Sequence, residues 1–209
     1  MSRPTDWNEY YAHPAPAAHI TRRITTRLLL SLVGQYGGAP RSICELGGAN
    51  SCFVDALRTA YPESDYAVID NNPLGLQLLG KRAGATQRLS LHNHDIRDLP
   101  EDLLKADVVF SVGLVEHFTA DETARIIAKH FSLLRPGGLV IITFPTPTWL
   151  YRATRGVAEL VGAWKFPDER PLEFPEVIKA IEGHGAVLRT LINWPIVLTQ
   201  GVVVARSPC

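Results

Sequence analysis

The stretch from residue 41 to residue 53 constrains the fold of this chain more than any other. A short apolar run ends in Glu45 and opens at once into small residues. This pattern predicts a buried strand over residues 43–46, a tight loop over 47–51 and a helix over 52–61. Glycine in such a loop lets a ligand approach the backbone closely and permits a positive φ. The stretch is therefore typical of the first strand, loop and helix of a nucleotide-binding sheet.

The acid and the small residues after it resemble the glycine-rich motif of class I S-adenosylmethionine-dependent methyltransferases. In that family an acidic residue ends the first strand and Gly-x-Gly-x-Gly follows. Here Ala49 and Ser51 occupy positions of the later glycines, and their small side chains preserve the space. The resemblance implies that S-adenosylmethionine is the cofactor and that it contacts Glu45, Gly47, Gly48, Ala49 and Asn50. Because a dinucleotide-binding fold begins in a similar way, residues further along the chain must discriminate between the two.

Two further acids follow at spacings that suit a bound nucleoside. Residues 66–70 read as the second strand and end on Asp70, 25 positions after Glu45. A carboxylate there can accept hydrogen bonds from both ribose hydroxyls, and the methyltransferase family uses its acid in this way. Asn71 follows directly and is assigned to the same site. After the third strand, within 89–96, the resemblance implies that Asp95 approaches the adenine amine and that Ile96 packs on the ring.

The fourth strand, predicted over residues 104–112, leads into the candidate catalytic residues. Its carboxyl end is where an open α/β sheet binds ligands, so Ser111 is assigned to the cofactor site. A Glu-His pair after this strand is common in the family, and Glu116-His117 matches it. His117 is the candidate general base, with Glu116 as an alternative base or as the group that orients the histidine. Equally, Glu116 could bond the loop backbone while His117 packs.

The segment 146–172 interrupts the alternation of strands and helices and is predicted to be an acceptor-side insertion. Its guanidinium and aromatic groups suit a planar or anionic acceptor, such as a sugar or glycan that bears phosphate or carboxylate. The alternative is an ordinary solvated helix face. The candidate acceptor-binding residues are Trp149, Tyr151, Arg152, Arg155 and Arg170.

The order of these elements predicts one α/β domain over residues 40–209. We expect a doubly wound, mostly parallel sheet of about seven strands with helices on both faces. Strands at 187–192 and 202–205 would close it as a C-terminal antiparallel hairpin. The preceding residues 1–39 comprise an aromatic-rich arm and an amphipathic helix, and the arm either packs on the domain or forms a lid. The Arg135-Pro-Gly-Gly138 sequence before the fifth strand adds to the resemblance.

Composition excludes several classes of function. The chain has 209 residues, with 21 basic and 21 acidic side chains, so no overall field favours nucleic acid or an anionic membrane. The longest apolar run near the start, residues 28–33, is too short to span a bilayer, and we expect a cytoplasmic protein. The three cysteines lack metal-site spacing, and although His92 and His94 could face the same side of a strand, no third ligand follows at a recognisable spacing. No metal is therefore predicted. Nothing in the sequence indicates an oligomeric state.

Three hypotheses of function follow. The leading one is an S-adenosylmethionine-dependent O-methyltransferase that acts on a small or glycan-like acceptor, for which the arginines favour an anionic one. A nicotinamide-dependent oxidoreductase is the second, and it is disfavoured by the acid in the glycine-rich motif and by the predicted hairpin. The third is a non-catalytic subunit that binds the cofactor and supports a partner.

Overall fold

A seven-stranded sheet forms the centre of the computed structural model, which describes residues 4–12, 18–84, 88–194 and 199–209. The arm prediction at residues 1–3 and 13–17, and part of the predicted hairpin turn at 195–198, lie outside the described residues. The strands are β1 (Ser42–Leu46), β2 (Asp65–Asp70), β3 (Leu89–Asn93), β4 (Ala106–Val112), β5 (Leu134–Pro145), β6 (Ala186–Asn193) and β7 (Gln200–Arg206).

The strand order is β3-β2-β1-β4-β5-β7-β6. The pairs among the first five strands are parallel, whereas β7 runs antiparallel to both β5 and β6. The predicted mostly parallel sheet with a C-terminal antiparallel hairpin is confirmed. Because β2 and β4 lie on opposite sides of β1, the order reverses at β1, and a crevice forms at the carboxyl ends of these strands.

Helices cover both faces of the sheet. They are α1 (Trp7–Ala12), α2 (Ala18–Leu32), α3 (Val54–Ala60), α4 (Pro73–Ala83), α5 (Ala120–Ser132), α6 (Trp149–Leu160) and α7 (Phe174–Ile181). Successive residues of β5 face opposite sides, as expected for a strand. Val140 and Ile142 pack with apolar residues of α5 and α7, and Leu139 and Ile141 pack with those of α2, α3 and α4. The two apolar cores explain why the strands read as continuous hydrophobic runs.

Two boundaries differ from the sequence prediction for local reasons. The helix expected to begin at Cys52 begins at Val54, because the Ser51 Oγ accepts a hydrogen bond from the Phe53 N–H at 3.0 Å and keeps that backbone in the loop. Strand β5 begins earlier than expected, since Ala106 pairs with Leu134 and the next pair is Val108 with Leu139. Residues 135–138 therefore form a bulge within β5.

None of the described helices combines the length and the apolarity that a transmembrane segment requires. The cytoplasmic location expected from the sequence stays a prediction.

Candidate active site

The glycine-rich loop closes tightly over Glu45 at the end of β1. The side chain of Glu45 is 2% exposed, and its Oε2 accepts a hydrogen bond from the Tyr66 hydroxyl at 2.7 Å. Gly47 has a φ of +71° and donates its N–H to the Ile69 carbonyl at 2.9 Å, which ties the loop to β2. A Cβ at Gly48 would lie 2.6 Å from the Glu45 Cδ. Glycine at position 48 is thus required by the buried acid beneath it.

Burial raises the pKa of Glu45 to about 7, although hydrogen bonds from Ser51 and Tyr66 oppose the shift. Burial removes the water that would stabilise the ionised carboxylate, so the protonated form is favoured. Glu45 therefore changes charge in the physiological pH range, unlike an exposed glutamate.

This shift predicts a stability that falls as pH rises. A glutamate in the unfolded chain has a pKa near 4.3, so between about pH 4.5 and 7 the folded protein binds more protons than the unfolded one. The contribution of Glu45 to the free energy of unfolding should decline by about 3 kcal/mol across that window. Urea unfolding at pH 5 and pH 8 should show a smaller decline for Glu45→Gln than for the wild type. An equal decline in both proteins would show that Glu45 titrates normally.

Asp70 lies at the adjacent strand end and faces the loop. Its Oδ2 accepts the Ala49 N–H at 3.1 Å and its Oδ1 accepts the Asn72 N–H at 2.8 Å. A carboxylate oxygen has two lone pairs, so each oxygen retains one that these bonds leave unused. Burial raises the pKa of Asp70, against the opposing effect of the backbone hydrogen bonds. The side chain is held firmly and still offers two acceptor positions.

The remaining predicted cofactor residues divide into two groups. Asp95 accepts three hydrogen bonds from Arg97 at 2.6 to 3.0 Å, two from the guanidinium and one from the backbone N–H, and they hold its pKa down to about 2. The Asn71 side chain also reaches Asp95, so the ends of β2 and β3 meet. Ser111 is different, because its hydroxyl is fully buried and bonds the Nε2 of His130 at 2.9 Å. The structure therefore brings Asp95 to the loop ends but directs Ser111 into the core.

The last two predicted cofactor residues, Asn50 and Ile96, lie at the margins of the cofactor site. Asn50 accepts a hydrogen bond from Arg82 Nη1 at 2.9 Å on the outside of the loop. Ile96 is 8% exposed and begins a short 3₁₀ turn, Ile96–Asp98, that packs in the apolar core.

Glu116 and His117 lie in a 3₁₀ turn, Val115–His117, directly after β4. The Thr123 hydroxyl donates to the Val115 carbonyl at 2.9 Å, and the Arg170 N–H donates to the Glu116 carbonyl at 3.0 Å. These bonds attach the turn to α5 and to the end of the 146–172 segment. The Glu116 side chain is buried, and its Oε2 has no hydrogen-bond partner in the part of the chain that the structure describes.

Two further acids, Asp168 and Glu169, lie beside Glu116 and His117. The sequence analysis assigned neither of them to the site. The Nδ1 of His117 lies 3.2 Å from Asp168 Oδ1, and its Nε2 lies 4.0 Å from Glu116 Oε1. Glu169 is close enough to raise the pKa of Glu116, whose burial is the larger cause. Consecutive acids in a proline-bounded segment were the available signal, but nothing in their spacing links them to His117. We call Glu116, His117, Asp168 and Glu169 the acidic cluster.

Charge and burial set the protonation of His117. Burial lowers its pKa, and the nearby Asp168 carboxylate opposes that shift. The imidazole is therefore neutral near pH 7. The tautomer that fits Asp168 carries its proton on Nδ1 and leaves the Nε2 lone pair available.

A comparison with known families shows which proteins this part of the chain is similar to. Residues 43–138, which contain the loop, Asp70, Asp95, Glu116 and His117, match the family model of a methyltransferase domain. This matched part, 96 of the 209 residues, is similar to class I S-adenosylmethionine-dependent methyltransferases. The resemblance read from the sequence and the predicted cofactor, S-adenosylmethionine, are thereby confirmed. A search of curated protein sequences found no match.

Solved structures of methyltransferases share the fold at low sequence identity. The N-methyltransferase NodS from Bradyrhizobium japonicum WM9, in complex with S-adenosylhomocysteine, is 16% identical with a TM-score of 0.67, and the match covers 97% of this chain and 93% of NodS. Magnesium protoporphyrin IX methyltransferase from Synechocystis PCC 6803 is 14% identical with a TM-score of 0.74, covering 96% and 92%. A Burkholderia thailandensis 1,6-didemethyltoxoflavin-N1-methyltransferase is 15% identical with a TM-score of 0.72, covering 97% and 85%.

The residues of this methyltransferase fit its cofactor. The two spare acceptor positions on Asp70 match the two hydroxyls of a ribose, and the absence of a side chain at Gly47 and Gly48 keeps the backbone open to close approach. Asp70 would hold the sugar, Glu45 and the loop would lie by the amino-acid part, and Asp95 with Ile96 would adjoin the adenine.

The N-terminal arm of the methyltransferase lies across this region. The Thr5 N–H donates to Asp168 at 3.2 Å, and the Trp7 ring packs edge-on against the His117 ring with centroids 4.9 Å apart. At the other end of α1, the Tyr11 ring lies against Gly75, where a Cβ would come within 3.0 Å of it and 2.5 Å of the Ala49 Cβ. The arm therefore contacts the acidic cluster and the start of α4, beside the cofactor loop.

Four of the five predicted acceptor residues of the methyltransferase line one groove. The groove is bordered by α6 and by the residues just before α7, and its lining includes Tyr151, Arg152, Arg155 and Arg170. Trp149, the fifth, is 75% exposed. The sequence-predicted residues thus share one surface, except for Trp149, which is not among the residues that line the groove.

These groove residues differ in how many hydrogen bonds and ion pairs they already make within the protein. Tyr151 is buried and donates its hydroxyl to Glu169, while Arg155 donates to the Tyr151 hydroxyl at 3.2 Å and to the Glu169 carbonyl at 2.9 Å. Arg170 makes a bidentate pair with Glu176 at 2.8 and 2.9 Å. Arg152 is exposed. Tyr151 and Arg155 therefore connect the groove to the acidic cluster.

Proposed function

We propose that this protein transfers a methyl group from S-adenosylmethionine to an oxygen atom of a small or glycan-like anionic acceptor. The observation that carries the proposal is the position of His117. Its neutral imidazole follows β4 at the same sheet edge as Glu45 and Asp70, and Asp168 orients it. Bound S-adenosylmethionine supplies an electrophilic methyl group, and a site that aligns the acceptor with it can contribute much of the rate.

His117 supports oxygen as the methylated atom. A hydroxyl is protonated at neutral pH and benefits from a group that takes up its proton. Asp168 accepts from Nδ1, which leaves the Nε2 lone pair to receive that proton and stabilises the imidazolium that results. Glu116 would serve as the alternative proton acceptor. The similar structures include enzymes named for N-methylation, so oxygen is inferred from this cluster alone.

The arginines of the groove support an anionic acceptor. Arg152 is exposed, and Arg155, whose Nε pairs with Glu159 at 2.7 Å, lies with its Cζ 5.3 Å from the centre of the Trp164 ring. A guanidinium beside an aromatic ring suits a ligand that has both a planar part and a phosphate or carboxylate. We therefore assign segment 146–172 to the acceptor side.

Two measurements test the proposal in sequence. Calorimetry with S-adenosylhomocysteine should show binding, and the absence of heat at millimolar ligand would end the proposal. Incubation with matched sugars and phenols, with and without a phosphate or carboxylate, should then give a mass gain of one CH₂ in the anionic members. Binding without transfer to any acceptor would favour the non-catalytic subunit instead.

We also propose that residues 4–12 act as a lid over the cofactor. Tyr11 packs against Gly75 beside Ala49, and Asn8 accepts a hydrogen bond from the Asn72 side chain at 2.9 Å. A ligand bound against Asp70 would be enclosed by these contacts.

The lid predicts a faster release of cofactor when Tyr11 is removed. Tyr11→Ala should increase the dissociation rate of S-adenosylhomocysteine about 10- to 150-fold, because a buried aromatic ring contributes about 1.5–3 kcal/mol. Glu9→Ala is the control, since Glu9 is on the same helix but is exposed and pairs with Lys165 at 3.3 Å. Stopped-flow fluorescence measures both rates, and equal rates in the two variants would contradict the lid.

A further inference from the structure

We propose that Glu116, His117 and Glu169 form a binding site for a divalent transition-metal ion, Mn²⁺ or Zn²⁺, beside the acceptor groove. One ligand atom from each residue lies within 4.8 Å of the other two. Two ligands of one ion with bonds of about 2.1 Å can lie up to about 4.2 Å apart. Side-chain movements of less than about 1 Å would therefore bring all three atoms to a shared ion.

Glu116 provides independent evidence that the site is incomplete without a ligand. Its side chain is 2% exposed, and its Oε2 has no partner in the ranges that the structure describes. Buried carboxylate oxygens are almost always hydrogen-bonded or bound to a cation, because their hydration is otherwise lost without compensation. A metal ion would supply the missing partner.

His117 is already arranged as a metal-binding histidine. Its Nδ1 is 3.2 Å from Asp168 Oδ1, and its Nε2 is on the side of Glu116. Histidines that bind metals commonly donate the other ring N–H to a carboxylate, which fixes the tautomer and makes the binding nitrogen more basic. Asp168 would act as this positioning residue, and Nε2 would bind the ion.

Glu169 can bind an ion without losing its present contact. The Tyr151 hydroxyl donates to Oε1, and the second carboxylate oxygen remains available to an ion. The carboxyl groups of Glu116, Asp168 and Glu169 lie close together, and Arg155 offsets part of the charge at Glu169. A divalent cation would favour the ionised forms of the two ligand glutamates, because it neutralises the charge that they bring together.

The donor set indicates which ion and which role. One imidazole nitrogen with two carboxylate oxygens suits Mn²⁺ or Zn²⁺ better than the all-oxygen coordination preferred by Ca²⁺. Three protein ligands leave coordination positions open, as in catalytic sites. An acceptor hydroxyl bound there would have a lowered pKa, and His117 would then serve as a ligand and no longer as the proton acceptor. Only this last role depends on the proposed function; ion binding does not.

Ion binding is testable without cofactor or acceptor. Untagged full-length protein, freed of metal with a chelator, is titrated with MnCl₂ and free Mn²⁺ is followed by electron paramagnetic resonance. We expect one bound ion per chain, and at least tenfold weaker binding in Glu116→Gln and in Glu169→Gln. Asp168→Asn should weaken binding about 10- to 100-fold through His117. Glu101→Gln, which changes an exposed glutamate in a turn, should bind as the wild type does.

The outcomes separate this proposal from the proposed function. No binding at 1 mM Mn²⁺ or Zn²⁺, or binding unchanged in both glutamine variants, would overturn the metal site and leave methyl transfer intact. Conversely, site-specific ion binding in a protein that fails to bind S-adenosylhomocysteine would support the metal site while ending the proposed function. Circular dichroism melting of each variant shows whether it is folded.

Discussion

Asp70→Ala is expected to weaken S-adenosylhomocysteine binding roughly 100- to 10,000-fold. The substitution removes the two acceptor positions proposed for the ribose hydroxyls, and hydrogen bonds to a charged group contribute about 1.5–3 kcal/mol each. It also removes the acceptor of the Ala49 and Asn72 N–H groups, at 3.1 and 2.8 Å, that holds the loop against β2. Isothermal titration calorimetry measures the loss.

A matched control exists at the opposite end of the same strand. Asp65 begins β2, is exposed, and lies 3.4 Å from Arg88. Asp65→Ala should leave the affinity within about threefold of the wild type, because exposed ion pairs contribute little. Asp70→Asn keeps the side-chain volume and one carbonyl acceptor, so its affinity should lie between those of Asp65→Ala and Asp70→Ala. Binding within threefold of wild type in Asp70→Ala would remove Asp70 from the cofactor site.

His117→Ala is expected to reduce kcat roughly 100- to 10,000-fold with the true acceptor, the range typical for removal of a general base. The same loss is expected if His117 holds an ion that binds the acceptor. Affinity for S-adenosylhomocysteine should change little, because the His117 side chain adjoins Asp168 and packs on Trp7, whereas Asp70 is proposed to hold the cofactor. Steady-state kinetics and calorimetry on the same preparations separate the two effects.

The pH profile adds a second readout for this variant. Since burial lowers the pKa of His117, wild-type kcat/KM should rise with pH through the acid range and level off by neutrality, as the imidazole loses its proton. Asp168→Asn should depress the rate by disturbing the tautomer. His92→Ala, on β3 and outside the acidic cluster, should behave as the wild type. Full turnover in His117→Ala would show that alignment alone suffices.

Much of the fold was readable because it is encoded by local patterns. The strand predicted over residues 66–70 is observed as Asp65–Asp70, and the one predicted over 202–205 lies within Gln200–Arg206. Continuous apolar runs predict buried strands and apolar residues with a period of 3.6 predict helices, and neither pattern depends on distant residues. The motif at Glu45 and the acid at Asp70 follow from the same regularity, because each acid lies at or next to the carboxyl end of a buried strand.

The contacts of the charged side chains were not readable in this way. Arg170 was predicted to meet the acceptor, yet its guanidinium pairs with Glu176 at 2.8 and 2.9 Å; its role toward an acceptor stays a prediction. Asp168 was not assigned to the site at all, although it accepts a hydrogen bond from the Thr5 N–H and its Oδ1 lies 3.2 Å from the Nδ1 of His117. The final packing of the loops decides which charged side chains pair, because the residue types alone permit many different ion pairs.

The sequence by itself determined the parallel sheet, the position of the glycine-rich loop and the acids at the strand ends, since parallel strands joined through helices must present their carboxyl ends on one edge. Only the tertiary structure decided that Thr5, His117 and Asp168 meet, with Thr5 and Asp168 163 positions apart. Residues so distant are joined by loop closure, whose cost depends on chain length and not on residue type, so no local pattern records their contact.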